Sequence, residues 1–301
     1  MTILSIADLK ALGVAVLEQS RTSRSNAIAV ADALVAADAD GLASHGVARL
    51  PAYADQAISG KVDGLAQPLV VRTAEAAVRV DAKSGFAFPA VAMGLTNAAG
   101  IVRRTGVVGL GVACSHHMGA AGYHVERMAR QGLIAIGLTN TPAAMAPWGG
   151  GLRLFGTNPI ALACPRQTAP PLVIDLSLSK VARGKIKLAA DRGEAIAPGL
   201  ALDNHGHPTT DAAAAMAGSM LPIGGAKGAA LALMVEILSA TLTGSNHGYE
   251  AGSFFTPDGP APNIGHFFIL IDPARFAPHA FGQGLESLLH AIVSPPGTRL
   301  P

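Results

Sequence analysis

The sequence predicts an α/β fold, a mixed sheet covered by helices and entered through a helical N-terminal region. Two observations carry this. Short apolar runs such as VVGLGVACS (107–115) and LIAIGLTN (133–140) have the length and character of buried strands, and they alternate with segments whose apolar residues recur at helical spacing. Glycines or small polar caps fall at the junctions between them.

Taken in order, SIADLKALGVAVLEQ (5–19) opens with Ser5 as an N-cap and repeats apolar residues at i, i+3 and i+4. Ser23 or Ser25 introduces a second helix, NAIAVADALVAADADGL, which closes on Gly41. Residues 51–64 predict a short helix and a turn. PLVVRTAEAAVRVDAKSG (68–85) alternates as a hairpin, and PAVAMGLTNAAGIVRRTG is a helix ending at Gly106. After the strand VVGLGVACS comes a helix, AAGYHVERMARQG, with Gly132 at its end. LIAIGLTN, ALACP and LVIDLSLS are three further strands. The stretch 199–218 is turn-rich, GGAKGAALALMVEILSATLTG is one long helix, HFFILIDPARF holds the last strand, and a helix covers about 281–293.

The bulk numbers exclude several classes. With 301 residues, half of them hydrophobic and 14% charged, the chain can bury a large core and is not a disordered one. A mean hydropathy of +0.38 raises the membrane question. The best span, GAALALMVEILSATLTG, carries Glu236 at its middle and falls short of the roughly 18 apolar residues a crossing needs, so it predicts a buried helix. A net charge of +2 without a Lys/Arg cluster gives nucleic-acid binding no support. The N-terminal MTILSIADLKALG has Asp8 and Lys10 within its apolar stretch, unlike a signal peptide. Cys114 and Cys164 lie in apolar runs and look like core residues in a reducing compartment. A soluble cytoplasmic protein is expected.

Five stretches carry chemistry. In GLASHGVARL, Ser44 and His45 follow a helix, without the G-x-S-x-G context of a hydrolase elbow. Adjacent helical residues point about 100° apart, so their adjacency alone does not make a hydrogen bond. A Ser and a His closing a helix is the plain alternative, but Arg49 and Tyr53, four and eight residues on, can bring a cation and a phenol to the imidazole. SHHMGAAGYHVERM (115–128) has the strand–loop–helix layout that offers helix amides to an anion, yet no G-x-G-x-x-G is present, so an ordinary Rossmann site is disfavoured. His116 and His117 are neighbours that do not easily share one ion, and no metal site is expected. LFGTNPIALACP makes a tight turn at Gly156, Thr157 and Asn158 that either holds a carboxylate or is a plain hairpin turn. VIDLSLSKVARGK turns polar at Asp175, Ser177 and Ser179, where a ligand crevice would lie. PIGGAKGAALALM places paired glycines and Lys227 at a helix start, a phosphate contact that matches no Walker motif. DNHGHPTTD reads as a solvated turn.

Together GLASHGVARLPAY, SHHMGAAGYH, PWGG, LFGTNPIALACP, VIDLSLSKVARGKI, PTTD, LPIGGAKGAALALMVE and PPGTRLP resemble, in order, the malate/L-lactate dehydrogenase family. That resemblance implies a non-Rossmann NAD(P)-binding fold and a homodimer with an active site that draws on both subunits. It implies interconversion of a small 2-oxo acid and its 2-hydroxy acid, or reduction of a cyclic imino acid (Δ1-pyrroline- or Δ1-piperideine-2-carboxylate). A cofactor-binding protein without catalysis is the alternative of another class. The cofactor is NADP or NAD, with NADPH favoured.

Carried over by position, His45 is the proton donor, Ser44 assists it, and Asp191 is the nearest candidate for a relay acid. Arg49 is the carboxylate clamp. Thr157, Arg183 and Gly184 are further substrate contacts, and His116 is a second acid/base candidate. His117, Met118, Gly119, Ala120, Ala121, Asp175, Leu176, Ser177, Ala226, Lys227, Gly297 and Arg299 are the cofactor contacts. The expected division is a helical 1–70 packing with 265–301 as one discontinuous domain, and a cofactor-binding α/β domain over 71–264. A His near its ordinary pKa of about 6.5 would serve both directions of the reaction.

Overall fold

The computed structural model describes residues 4–301. Three helices open the chain: α1 (Ile6–Gln19), α2 (Arg24–Ala39) and α3 (Leu50–Ser59). Ser5 and Ser23 cap the first two through their hydroxyls, which accept the amides of Asp8 and Asn26. Pro51 sits in the first turn of α3, and Gly60, at φ 80°, closes it. Their apolar faces meet in one cluster that includes Leu17, Leu34, Tyr53, Phe86 and Phe88.

The hairpin β1 (Leu69–Ala74) and β2 (Ala77–Asp81) leads through α4 (Ala87–Thr105) into β3 (Val107–Ser115), α5 (Ala121–Ala129) and β4 (Ile134–Thr139). Then come β5 (Ile160–Cys164), β6 (Leu172–Leu176) and α6 (Arg183–Arg192). β7 (Ala201–Leu202), β8 (Pro208–Thr209), α7 (Ala212–Ala217) and β9 (Ser219–Met220) fill the segment expected to be turns. The long α8 (Ala226–Glu236) runs on through a wide turn over Ile237–Thr241, and β10 (Ile264–Ile271) and α9 (Phe281–Val293) end the chain.

The main sheet has the order β1-β2-β3-β10-β4-β5-β6, and β8-β7-β9 form a small second one. Only β2 and β3 pair in parallel; the other main-sheet pairs are antiparallel. α4 and α5 cover one face, burying Leu95, Ala98 and Val125 with Val80, Leu110 and Phe268. Val235 and Ala232 of α8 pack with Leu138 and Phe267 on the other side. Covered on both faces, the inner strands are mostly apolar, with His266 of β10 a buried exception.

One expected boundary needs correction. Residues 265–301 do not join 1–70 as a separate unit, because β10 lies inside the main sheet, bonded to β3 on one side and β4 on the other. An eight-residue apolar strand satisfies both rows of its backbone groups only between two partners, and these are the strands of the 71–264 segment. Among the described residues no helix is long and apolar enough to cross a membrane. Both cysteines are free, Cys164 buried and Cys114 half-buried.

Candidate active site

Strand register collects the site along one rim of the sheet. Ile264, at the start of β10, faces Ser115 at the end of β3, and His266 faces Thr139 at the end of β4. Leu138 faces Ile160, and Ile160 faces Leu176. The segments leaving β3, β4 and β6 and entering β5 therefore share an edge. They hold His116–His117, Asn140–Thr141, Ser177 and Gly156–Thr157–Asn158.

The N-terminal helices bring the Ser-His pair to this rim. Two short turns, Ala43–His45 and Val47–Arg49, link α2 to α3. Asp38, in the last turn of α2, pins them by accepting the Val47 amide at 2.8 Å. Ser44 Oγ and His45 Nδ1 share a hydrogen bond of 3.0 Å. Arg49 Nε donates to the Ser44 carbonyl at 2.8 Å, and its guanidinium lies 4.6 Å from the Phe255 ring centre. Its Nη1 is buried without a partner, an arrangement suited to an incoming carboxylate.

His45 stacks on His117 with ring centres 5.6 Å apart, and the Tyr53 hydroxyl lies 2.6 Å from His117 Nδ1. Burial, with Arg49 adding to it, lowers the pKa of His45 to about 4, below the near-ordinary value expected from sequence. Burial likewise lowers His116 to about 3 and holds His117 well below 6.5, so the cluster is neutral near pH 7.

A second group centres on Thr157. Its amide donates to Thr141 Oγ1 at 2.9 Å, its carbonyl accepts the Leu178 amide at 2.8 Å, and Arg183 Nη1 contacts the Ala143 carbonyl at 3.4 Å. Gly184 follows in the first turn of α6. The Ile223 amide donates to the Leu178 carbonyl at 2.8 Å, which ties the start of α8 to the end of β6, beside Ser177 and the half-exposed Leu176. Gly224 and Gly225 have φ of 62° and 61°, and no side chain caps α8. Its first amides and the exposed Lys227, beside Ala226, fit a phosphate.

The first turn of α5 has a different occupant. The Asp175 carboxylate accepts the Gly122 amide at 2.7 Å; desolvation raises its pKa, and the amides of Gly122 and Ala121 oppose that. The Gly122 amide, at the helix start where an anion was expected, is thus bonded to the chain's own carboxylate. Met118 is buried, and its carbonyl accepts His124 Nε2. Gly119, at φ 73°, lies against the Phe88 ring, and Ala120 leads into α5.

Asp191 is not brought to His45. It is exposed on α6 and paired with Lys187 at 2.7 Å. Gly297 and Arg299 lie exposed beyond α9, with no hydrogen bond or ion pair to another site residue among those described. Sequence reasoning missed Asp38, Gln56, Thr141, Phe254 and Phe255. Of these only Gln56, seven residues after Arg49 on the same helix face, left a local signal. No group of three or more metal-ligating side chains occurs among the described residues.

The rim thus gathers a histidine hydrogen-bonded to a serine, an arginine with a buried unpartnered Nη1 on the next turn and an uncapped helix start carrying a lysine, on an α/β sheet. The chain belongs to the malate/L-lactate dehydrogenase family, which it matches over residues 4–299. It is 52% identical over 298 residues, 99% of this chain and 89% of the relative, to a (2R)-3-sulfolactate dehydrogenase (NADP+) of Chromohalobacter salexigens. It is 40% identical to a Δ1-pyrroline-2-carboxylate/Δ1-piperideine-2-carboxylate reductase of Pseudomonas syringae pv. tomato, over 93% of this chain and 82% of that one. The structure of the Δ1-piperideine-2-carboxylate reductase of that bacterium superposes with a TM-score of 0.95 at 38% identity, covering 100% of this chain and 91% of that one. The sulfolactate dehydrogenase of Methanocaldococcus jannaschii superposes with a TM-score of 0.91 at 33% identity, covering 100% and 88%.

Proposed function

We propose that the chain is an NADP-dependent oxidoreductase that interconverts a small 2-oxo acid and its 2-hydroxy acid, 3-sulfolactate being the first substrate to try. The carrying observation is the hydrogen-bonded Ser44–His45 pair beside Arg49, whose buried Nη1 lacks a partner. The 52% identity to an NADP-dependent sulfolactate dehydrogenase supports both substrate and cofactor.

Arg49 grips the α-carboxylate, with Thr157 and Arg183 as further contacts, and so sets which face of the carbonyl is open. When bound, the cofactor supplies a hydride to the carbonyl carbon, with Lys227 and the start of α8 as a site for one of its phosphates. His45 delivers a proton to the carbonyl oxygen, and Ser44, on Nδ1, steadies the ring. The bound carboxylate offsets the Arg49 charge that disfavours imidazolium, so substrate itself raises the proton affinity of His45.

Absorbance at 340 nm with NADPH or NADH and a panel of 2-oxo acids, 3-sulfopyruvate included, tests this. No turnover and no cofactor binding would overturn it; binding without turnover would mark a scaffold that lost catalysis. A second reading, a cyclic imino acid reductase, is supported by the 0.95 superposition and predicts Δ1-pyrroline-2-carboxylate as the best substrate. We also infer a homodimer, supported by the exposed Leu233, Met234, Ile237 and Leu242 of α8 and its extension, and testable by light scattering. A cytoplasmic location fits the two free cysteines.

A further inference from the structure

Helix α3 turns one face toward the histidines. Arg49, Tyr53 and Gln56 follow at i, i+4 and i+7, and Tyr53 and Gln56 are both fully buried. Each of the two touches one member of the His116–His117 pair.

The Tyr53 hydroxyl makes one hydrogen bond among the described residues, to His117 Nδ1 at 2.6 Å. A buried hydroxyl proton without an acceptor is costly, so the phenol donates. Burial keeps both partners neutral, pushing the Tyr53 hydroxyl well above its ordinary value and His117 well below its own. With Nδ1 accepting, the ring proton of His117 resides on Nε2, which has no partner among the described residues.

Gln56 works through the two ends of its amide. Its Nε2 donates to the Phe254 carbonyl at 2.8 Å, and a carbonyl only accepts, so Oε1 must face the other way. There it lies 3.0 Å from His116 Nε2. An amide oxygen only accepts, so His116 carries its proton on Nε2, and its buried Nδ1 is left bare and unpartnered. The Phe254 carbonyl is itself held in place from α3 and the turn after it. Ser59 Oγ donates to the Pro257 carbonyl at 3.2 Å, and Lys61 Nζ to those of Thr256 at 2.9 Å and Asp258 at 2.7 Å.

We propose that Tyr53 and Gln56 are positioning residues that lock His117 and His116 in the Nε2–H tautomer, giving the adjacent rings one unpaired donor, His117 Nε2–H, and one unpaired acceptor, His116 Nδ1. The lock rests on the 2-oxo acid reading only in its kinetic consequence.

Long-range 1H–15N correlation of the histidine-labelled full chain reads the tautomers directly. The expected result is Nε2–H for both rings in the wild type. In Tyr53→Phe the His117 pattern averages between tautomers and that of His116 stays. In Gln56→Leu the reverse holds, and Gln56→Met, which fills the volume but offers no amide oxygen, gives the same averaged His116 pattern. In the Phe and Leu variants kcat falls about tenfold or more while KM for NADPH is unchanged. A wild-type His117 protonated on Nδ1, or a His116 spectrum indifferent to Gln56→Leu, overturns the proposal. Should the Leu variant fail to fold, the wild-type and Gln56→Met spectra decide. The stated tautomers in a chain that turns over no 2-oxo acid would uphold the lock and remove the functional reading.

Discussion

Gly46 packs so tightly on Asp38 that a Cβ added to the glycine would overlap the carboxylate. The same carboxylate receives the Val47 amide at 2.8 Å, so it has no room to retreat without giving up that bond. Gly46→Ala is therefore expected to pull Asp38 off the turn that carries Ser44 and His45, costing about 1–3 kcal/mol. Urea unfolding should show the loss, and kcat should fall with it. Asp38→Asn, which keeps the shape and loses the charge, should show a smaller version of both effects.

Arg49→Lys keeps a cation and removes the fork. Nη1, buried and unpartnered, has no counterpart on an ammonium, and the Phe255 ring loses the planar group it faces. A charged hydrogen bond of about 1.5–3 kcal/mol corresponds to roughly a 10–150-fold loss in kcat/KM for the 2-oxo acid. Steady-state kinetics should place the loss in the acid's KM, with KM for NADPH little changed.

The contacts among Ser44, His45 and Arg49 were legible because the three lie within six residues, on two successive short turns. The inner strands and the limits of α9 were legible because they follow from apolar runs and spacing. The surrounding contacts were not. Gln56 meets the Phe254 carbonyl across 198 residues, and Asp175 reaches the Gly122 amide across 53, because β6 pairs with β5 at the rim. Nothing local to Asp175 says that its partner is a helix start rather than a cofactor. The placement of β10 between β3 and β4 is equally non-local, and the domain division failed there.

The two causes that lower His45, burial first and Arg49 second, can be separated. A guanidinium disfavours imidazolium, so Arg49→Met should raise the His45 pKa above about 4 while burial keeps it below 6.5. NMR titration of the ring protons measures this. A value unmoved or lowered would mean that the guanidinium has no part in the shift.

Three fully buried histidines set the acid limit of stability. Burial lowers His116 and His266 to about 3 and His124 to about 4. Their folded pKa values lie below the unfolded value of about 6.5, so at lower pH the unfolded chain binds more protons. Their stabilising effect is complete above about pH 6.5 and is lost progressively as pH falls toward 3–4. Each contributes a slope of up to about 1.4 kcal/mol per pH unit in that window. Urea midpoints should be flat from pH 8 to about 7 and fall steeply by about pH 5. His124→Gln, which keeps a donor for the Met118 carbonyl, should make the fall shallower.

Glu236, the one acid in the apolar run of α8, joins three segments of the rim. Its Oε1 accepts Asn140 Nδ2 at 3.2 Å and the Gly248 amide at 2.7 Å, and its Oε2 accepts Asn158 Nδ2 at 2.7 Å. All its partners are donors, so a group that only accepts is required. Glu236→Gln would point an NH2 at a donor, and Asn158 does not turn over freely because its Nδ2 also serves the Ala232 carbonyl at 3.0 Å. The expected cost is about 1–3 kcal/mol for Gln and more for Leu, which leaves all three donors buried and unpaired. Asn158 adjoins Thr157, so the Gln variant should also raise KM for the 2-oxo acid. Thermal melts and steady-state kinetics on the same preparation check both, and an unchanged melt in Glu236→Leu would refute the account of this network.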